Sequence, residues 1–164
     1  MVIIAKADDR FEIKTKTSTI VTGETVSING VELAGPGEYE IGDCKIKGIP
    51  ASPAGRSPSV YLIEAEDLKI AYLDRITTML NDDQVEVLSE PDVLFVPTGA
   101  HGTLDPKQAE RLVGLIDPKI VIPMLGDLAV VAKQLGGNVE QLNQLKITRQ
   151  SLPQDGRRVL VLTP

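Results

Sequence analysis

The chain has 164 residues, a net charge of −6, one cysteine and a single histidine, His101. This length suits one domain with a substantial core, whereas the negative charge argues against nucleic acid as a partner, because phosphate binding needs a clustered positive face. The lone Cys44 excludes an intramolecular disulfide and a zinc site made of several thiolates. The apolar start, residues 1–5, is too short for a signal peptide or a membrane span. We therefore expect a cytoplasmic protein that does not associate with membranes.

Short strands are predicted throughout the first half, where apolar and polar residues alternate as they do in half-buried strands. The predicted strands are 11–14, 18–22, 26–28, 31–33, 38–41, 44–49, 60–64 and 68–73. The dipeptide Asn29-Gly30 separates two of them and favours the positive φ angles of a tight hairpin turn. Three prolines between Ile49 and Pro58 predict a loop.

Strands and helices alternate in the second half. Three helices are predicted from capping residues at their starts: 82–89 after Asn81, one from 106 to just before Pro118 after Asp105, and 128–135 after Asp127. Buried strands are predicted at 93–96 and 120–122, with further strands at 145–148 and 159–162. This order predicts two sheets with helices packed outside them. We expect one domain, residues 1–164, because neither half carries a sufficient core alone.

A series of motifs extends from residue 35 to the C-terminus. It comprises Gly35–Gly42, Lys45–Ile49, Val60–Glu64, Asp92–Gly99, Thr103–Asp105, Pro118–Met124 and residues 145–153. Their sequences and order resemble the metallo-β-lactamase superfamily, and especially its small Zn-dependent hydrolases similar to ascorbate-phosphate lactonase. The resemblance implies a shortened α/β sandwich of two mixed β-sheets with flanking helices.

The departures from this family fall at its metal ligands. Residues 15–33 hold no H-x-H-x-D-H loop, and we expect a segment of several dozen residues to be missing before Gly35. The family's H-L-G-D corresponds to residues 72–75, Tyr-Leu-Asp-Arg, and its P-M-H to residues 123–125, Pro-Met-Leu. A zinc centre needs about three or four donor side chains, but Arg75 repels a dication and Leu125 offers no lone pair. We therefore expect no metal and no cofactor, with zinc only if another subunit supplies ligands.

Five polar residues near the lost ligand positions are interpreted as a vestigial ligand pocket: Tyr72, Asp74, Arg75, His101 and Asp127. His101 and Asp74 are the weak catalytic candidates; His101 could act as a general base, since histidine titrates near neutrality. For His101 the alternative is an exposed loop residue. Asp74 and Arg75 could hold a small anion, or they could form an internal ion pair that fills the vacated pocket. Asp127 is also the expected cap of the third helix.

The missing histidines favour a non-catalytic protein, namely a binding or self-assembling module with a small-molecule or protein ligand. The alternative is a metal-dependent hydrolase of the same superfamily with an atypical or intersubunit site. Loss of a segment that covers a sheet would leave an open edge or an apolar surface. We therefore expect a homo-oligomer, as a two-fold dimer.

Overall fold

The computed structural model describes residues 1–51, 59–136 and 139–164. They form an α/β sandwich of two β-sheets with helices on one side. The strands are β1 (Val2–Ala5), β2 (Phe11–Lys14), β3 (Thr19–Val21), β4 (Ser27–Ile28), β5 (Val31–Glu32), β6 (Gly37–Ile41), β7 (Cys44–Pro50), β8 (Ser59–Ala65), β9 (Leu68–Tyr72), β10 (Val93–Pro97), β11 (Ile120–Met124), β12 (Val139–Leu142), β13 (Gln144–Lys146) and β14 (Arg158–Leu162). The α-helices are α1 (Asp82–Leu88), α2 (Pro106–Ile116) and α3 (Leu128–Gln134).

The first sheet has the order β13-β1-β2-β3-β4-β5 and is antiparallel. The predicted Asn29-Gly30 turn joins β4 to β5, with φ angles of 51° and 80° at these residues, as a tight hairpin turn requires. Strand β1 was not predicted. Its apolar run buries Ile3 and Ala5 against the second sheet, and it brings the following turn, residues 6–10, to the edge of the sandwich.

The second sheet has the order β12-β14-β11-β10-β9-β8-β7-β6. Strands β6 to β9 are antiparallel, whereas β9, β10, β11 and β14 run parallel. Its inner face meets the first sheet in an aliphatic core, where the rings of Phe11 and Phe95 lie 4.7 Å apart. Its outer face packs against the three helices. The parallel strands place the carboxyl ends of β9, β10 and β11 at one edge, the position where α/β sheets form ligand sites.

The helix starts agree with the predictions. Asn81 and Asp105 cap α1 and α2 in capping boxes with Gln84 and Gln108, and Asp127 caps α3. The loop predicted between Ile49 and Pro58 begins later than expected, because β7 extends to Pro50, and residues 52–58 of that loop lie outside the described residues. Strand β12 was not predicted, and the strand expected at 145–148 covers Gln144–Lys146. In the part of the chain that the structure describes, no helix is long and apolar enough to span a membrane.

Candidate functional site

Among the described residues, three of the eight that have a positive φ without being glycine lie at the carboxyl edge of the parallel strands. Asp74 follows β9, His101 follows β10 and Leu125 follows β11, and their φ angles are 43°, 56° and 55°. Positive φ is uncommon for residues other than glycine, and such strain clusters at functional sites. This edge is therefore the candidate functional site.

The turn between β1 and β2 docks onto this edge. The backbone N–H of Leu125 donates to the carbonyl of Asp8 over 3.3 Å, and the Tyr72 hydroxyl donates to the carbonyl of Asp9 over 3.4 Å. Arg75 donates through Nε to Oδ2 of Asp9 over 2.8 Å, and its Nη2 contacts the same oxygen. Tyr72 and Arg75 at the end of β9, together with Leu125 directly after β11, thus hold one turn of the first sheet.

A cleft of about 390 Å³ remains beside this turn, and we call it the Arg75 cleft. It is lined by Ala7, Asp8, Asp9, Arg75, His101 and Leu125. The Arg75 side chain is 43% exposed, and its hydrogen bond to Asp9 raises the pKa of the guanidinium further. His101 lies exposed on the rim. The cleft therefore places one fixed cation between two carboxylates and an exposed imidazole.

A second cavity, of about 350 Å³, shares no lining residue with the Arg75 cleft. We call it the Asp74 cavity. It is lined by residues 23–26 and 33–36 together with Ser59, Tyr61 and Asp74. Asp74 is only 9% exposed. Burial raises the pKa of its carboxyl, although hydrogen bonds from the backbone of Arg75 and Ser59 oppose this shift. Burial also raises the pKa of the Tyr61 hydroxyl.

The five predicted pocket residues do not meet in one place. Arg75 and His101 line the Arg75 cleft, whereas Asp74 lines its own cavity. Tyr72 lies fully buried beneath the edge, where its ring packs against Phe95 and burial raises the pKa of its hydroxyl. Asp127 is exposed and lines neither cavity; its carboxylate accepts a hydrogen bond from the backbone of α3 as a helix cap.

The expected ion pair exists, but its carboxylate partner is a different residue. Arg75 pairs with Asp9, which sequence reasoning did not select, because β1 was not recognised and residues 6–10 were not identified as a hairpin turn. The available signal was the pair Asp8-Asp9, a polar break between two apolar runs.

The residues at this edge do not fit a zinc centre. Among residues 1–51, 59–136 and 139–164, no three His, Cys, Asp or Glu side chains lie close enough together to hold a metal ion. Zinc in proteins needs about three or four nitrogen, sulfur or oxygen donors. Here the guanidinium of Arg75 already engages the Asp9 carboxylate, and the side chain of Leu125 is a hydrocarbon.

Comparison with protein families gives a match over most of the chain. A model described as the beta-lactamase superfamily domain matches residues 5–125. A UPF0173 metal-dependent hydrolase of Methanopyrus kandleri is 26% identical over 102 residues, which cover 62% of this chain and 44% of the relative. A UPF0173 protein of Pyrococcus furiosus is 29% identical over 125 residues, which cover 74% of this chain and 57% of the relative. The chain thus spans about half the length of these curated relatives.

A solved structure matches almost end to end. It is a candidate Zn-dependent hydrolase of the metallo-β-lactamase superfamily from Thermotoga maritima, with a TM-score of 0.82, 24% sequence identity and 98% coverage of both chains. A metal-dependent hydrolase candidate from Parabacteroides distasonis matches less well, with a TM-score of 0.51 over 79% of this chain and 56% of its own. The predicted metallo-β-lactamase-like sandwich is therefore confirmed, and its compact form also occurs in a solved protein.

Proposed function

Because this chain belongs to the beta-lactamase superfamily, we propose that it uses the superfamily's fold as a metal-independent binding module with its ligand in the Asp74 cavity. The observation that supports this is Asp74 itself, a carboxylate that is 9% exposed and lies at a φ of 43°. Desolvation and left-handed backbone both destabilise the folded state at this residue. Costs of this kind are typical of functional positions.

The chemistry of the lining favours a small cationic ligand. Glu24 and Asp74 contribute carboxylates, and Thr25, Ser59 and Tyr61 contribute hydroxyls. The described lining residues include no Lys, Arg or His. A buried carboxylate is stabilised by an opposite charge that also donates hydrogen bonds. A small primary amine would satisfy both requirements.

A thermal-shift titration with simple amines, such as putrescine and ethanolamine, tests this proposal. The wild-type protein should gain thermal stability with amine, and Asp74→Asn should lose that response. Asp127→Asn is the matched control, because Asp127 is an exposed helix cap outside both cavities. Equal responses from wild type and Asp74→Asn, or no response from either, would contradict the assignment of the cavity.

The alternative function is metal-dependent hydrolysis. The names of the relatives favour it, since the Methanopyrus protein is called a metal-dependent hydrolase and the Thermotoga protein a candidate Zn-dependent hydrolase. At the level of the family, the comparisons therefore support this alternative better than a non-catalytic module. The donor set opposes it, because the described residues bring no three ligands together. A hydrolase would need ligands from elsewhere, such as a second subunit.

Elemental analysis of untagged protein separates the two functions. The binding-module proposal expects zinc, manganese and iron far below one ion per chain. Stoichiometric metal that is lost with a chelator, together with chelator-sensitive hydrolysis of a lactone or phosphodiester, would establish the alternative.

Self-association remains a second proposal, in the form of a two-fold homodimer. It is supported by the ends of the sheets, where β5 and β12 are edge strands and expose Val31 and Val139. Unpaired strand edges readily pair with another chain.

A further inference from the structure

The turn of residues 6–10 lies where the carboxyl ends of β9 and β11 meet the first sheet. We infer that Arg75 is a built-in cation that takes the place of a metal ion at this edge, with Asp9 as its carboxylate ligand and the β1–β2 turn as its support. This inference goes beyond the proposed binding function, because it concerns the Arg75 cleft and not the Asp74 cavity.

The β1–β2 turn is held by residues from several directions. The carbonyl of Asp9 lies 3.4 Å from the hydroxyls of both Tyr72 and Thr22, while its carboxylate meets the guanidinium of Arg75. The backbone N–H of Leu125 donates a hydrogen bond to the carbonyl of Asp8. A turn with this many partners is a fixed part of the site and not a free surface loop.

The partners of this turn stand at positions that the family resemblance assigns to metal ligands. Tyr72, Arg75 and Leu125 correspond there to the His, Asp and His of the motifs H-L-G-D and P-M-H. The side chains of Tyr72 and Arg75 both contact Asp9, whereas Leu125 contacts Asp8 through its backbone N–H. Two of the three replacements, Tyr72 and Arg75, thus act together on Asp9.

The charge around Arg75 is negative. Asp9, Asp74 and Glu24 each favour its charged form, and Asp8 lines the same cleft. One guanidinium therefore sits among several carboxylates, an arrangement that repels itself when the cation is removed. With a negative side chain in place of Arg75, this group of carboxylates should bind a divalent cation, since carboxylate oxygens are good ligands for such ions.

The substitution Arg75→Asp tests the inference directly. Its thermal midpoint in EDTA should fall by several degrees relative to wild type, and millimolar Mn²⁺ should restore at least half of that loss. Wild type and Arg157→Asp should show no Mn²⁺ response, since Arg157 pairs with the exposed Asp117 away from the cleft. Unchanged stability of Arg75→Asp in EDTA, no recovery with Mn²⁺, or an equal Mn²⁺ response of wild type would each overturn the inference.

A double-mutant cycle keeps the inference testable if Arg75→Asp does not fold. Asp9→Asn and Arg75→Gln are milder changes that each remove one charge of the pair. If the Arg75 guanidinium stabilises the fold through its ion pair with the Asp9 carboxylate, Asp9→Asn should lower the thermal midpoint of the wild-type protein. The same substitution should change the midpoint much less when Arg75→Gln is already present. Additive shifts would overturn the inference. None of these outcomes depends on whether an amine binds in the Asp74 cavity.

Discussion

Asp74 shows at the scale of one residue why the sequence could locate the site but not assign its parts. The motif comparison places Asp74 at the glycine of H-L-G-D, and its φ of 43° is the backbone geometry that a glycine adopts easily. The motif comparison therefore agrees with the backbone conformation at this position. It does not show that the side chain turns toward Ser59 and Tyr61 and away from the Arg75 cleft.

We expect Asp74→Asn to stabilise the protein near neutral pH. The pKa of Asp74 is raised in the folded state, mainly by burial. Its ionisation therefore destabilises the fold fully above the raised pKa, and this cost declines as the pH falls through that pKa and is gone below the unfolded value of 3.8. Asparagine removes the charge and tolerates left-handed backbone. The midpoint should rise by about 2–4 °C, as ~1 kcal/mol does in a domain of this size. Scanning calorimetry should show the gain shrinking in acid; a gain independent of pH would contradict it.

Asp43 should give the opposite dependence on pH. Hydrogen bonds, first from Ser18 and then from Thr15, lower the pKa of its carboxyl from 3.8 to about 2. The stabilisation is therefore complete above the unfolded pKa and is lost as the pH falls from 3.8 through about 2. Asp43→Asn should remove part of the acid sensitivity in this window, by a small amount because the group is poorly shielded from solvent. Thermal midpoints measured from neutral pH down into this window should converge for the two proteins; parallel curves would contradict the prediction.

At the scale of elements, the sequence predicted best where local chemistry decides the structure. The capping boxes at Asn81 and Asp105 fix where α1 and α2 begin. Strands β1 and β12 were missed for a different reason, since their places are set by partners far along the chain, β13 for β1 and β14 for β12. Because β1 was missed, the docking turn that follows it was missed as well.

Two glycines provide a matched test of the candidate edge. A Cβ on Gly126, directly after Leu125, would lie 2.5 Å from the carbonyl oxygen of Thr98, whereas a Cβ on Gly114 in α2 would meet nothing within 4 Å. Gly126→Ala should therefore push apart the ends of β10 and β11 and destabilise the protein by about 1–3 kcal/mol, the usual cost of forcing extra volume into a packed site. Gly114→Ala should stabilise α2 by up to about 1 kcal/mol through helix propensity. Urea unfolding measures both, and equal effects would contradict the close approach at Gly126.

At the scale of the whole molecule, the sequence predicted the sandwich but not how its two sheets meet. The motifs lie mostly in the second sheet, and the structure places Arg75 and Leu125 at the carboxyl edge of that sheet. Their partners, Asp8 and Asp9, lie in the turn between two strands of the first sheet. Asp9 is 66 residues away from Arg75 in the sequence. No local pattern reports such a distant pairing. Only the packing of one sheet on the other brings these residues together.

A homodimer can form through the edges of the two sheets. If the dimer forms through a sheet edge, one exposed valine should lie at its centre, either Val31 on β5, which is 55% exposed, or Val139 on β12, which is 38% exposed. The β6 edge is a weaker candidate because its exposed Glu38 and Glu40 would face like charges in a partner strand.

Light scattering after size exclusion should give a dimer for wild type. The lysine substitution at the edge that is used, Val31→Lys or Val139→Lys, should give a monomer. Val130→Lys should leave the dimer intact, since Val130 is 57% exposed but lies on the helix α3. A wild-type monomer throughout the micromolar range would contradict the dimer, and a dimer that survives both edge substitutions would place its interface on another surface.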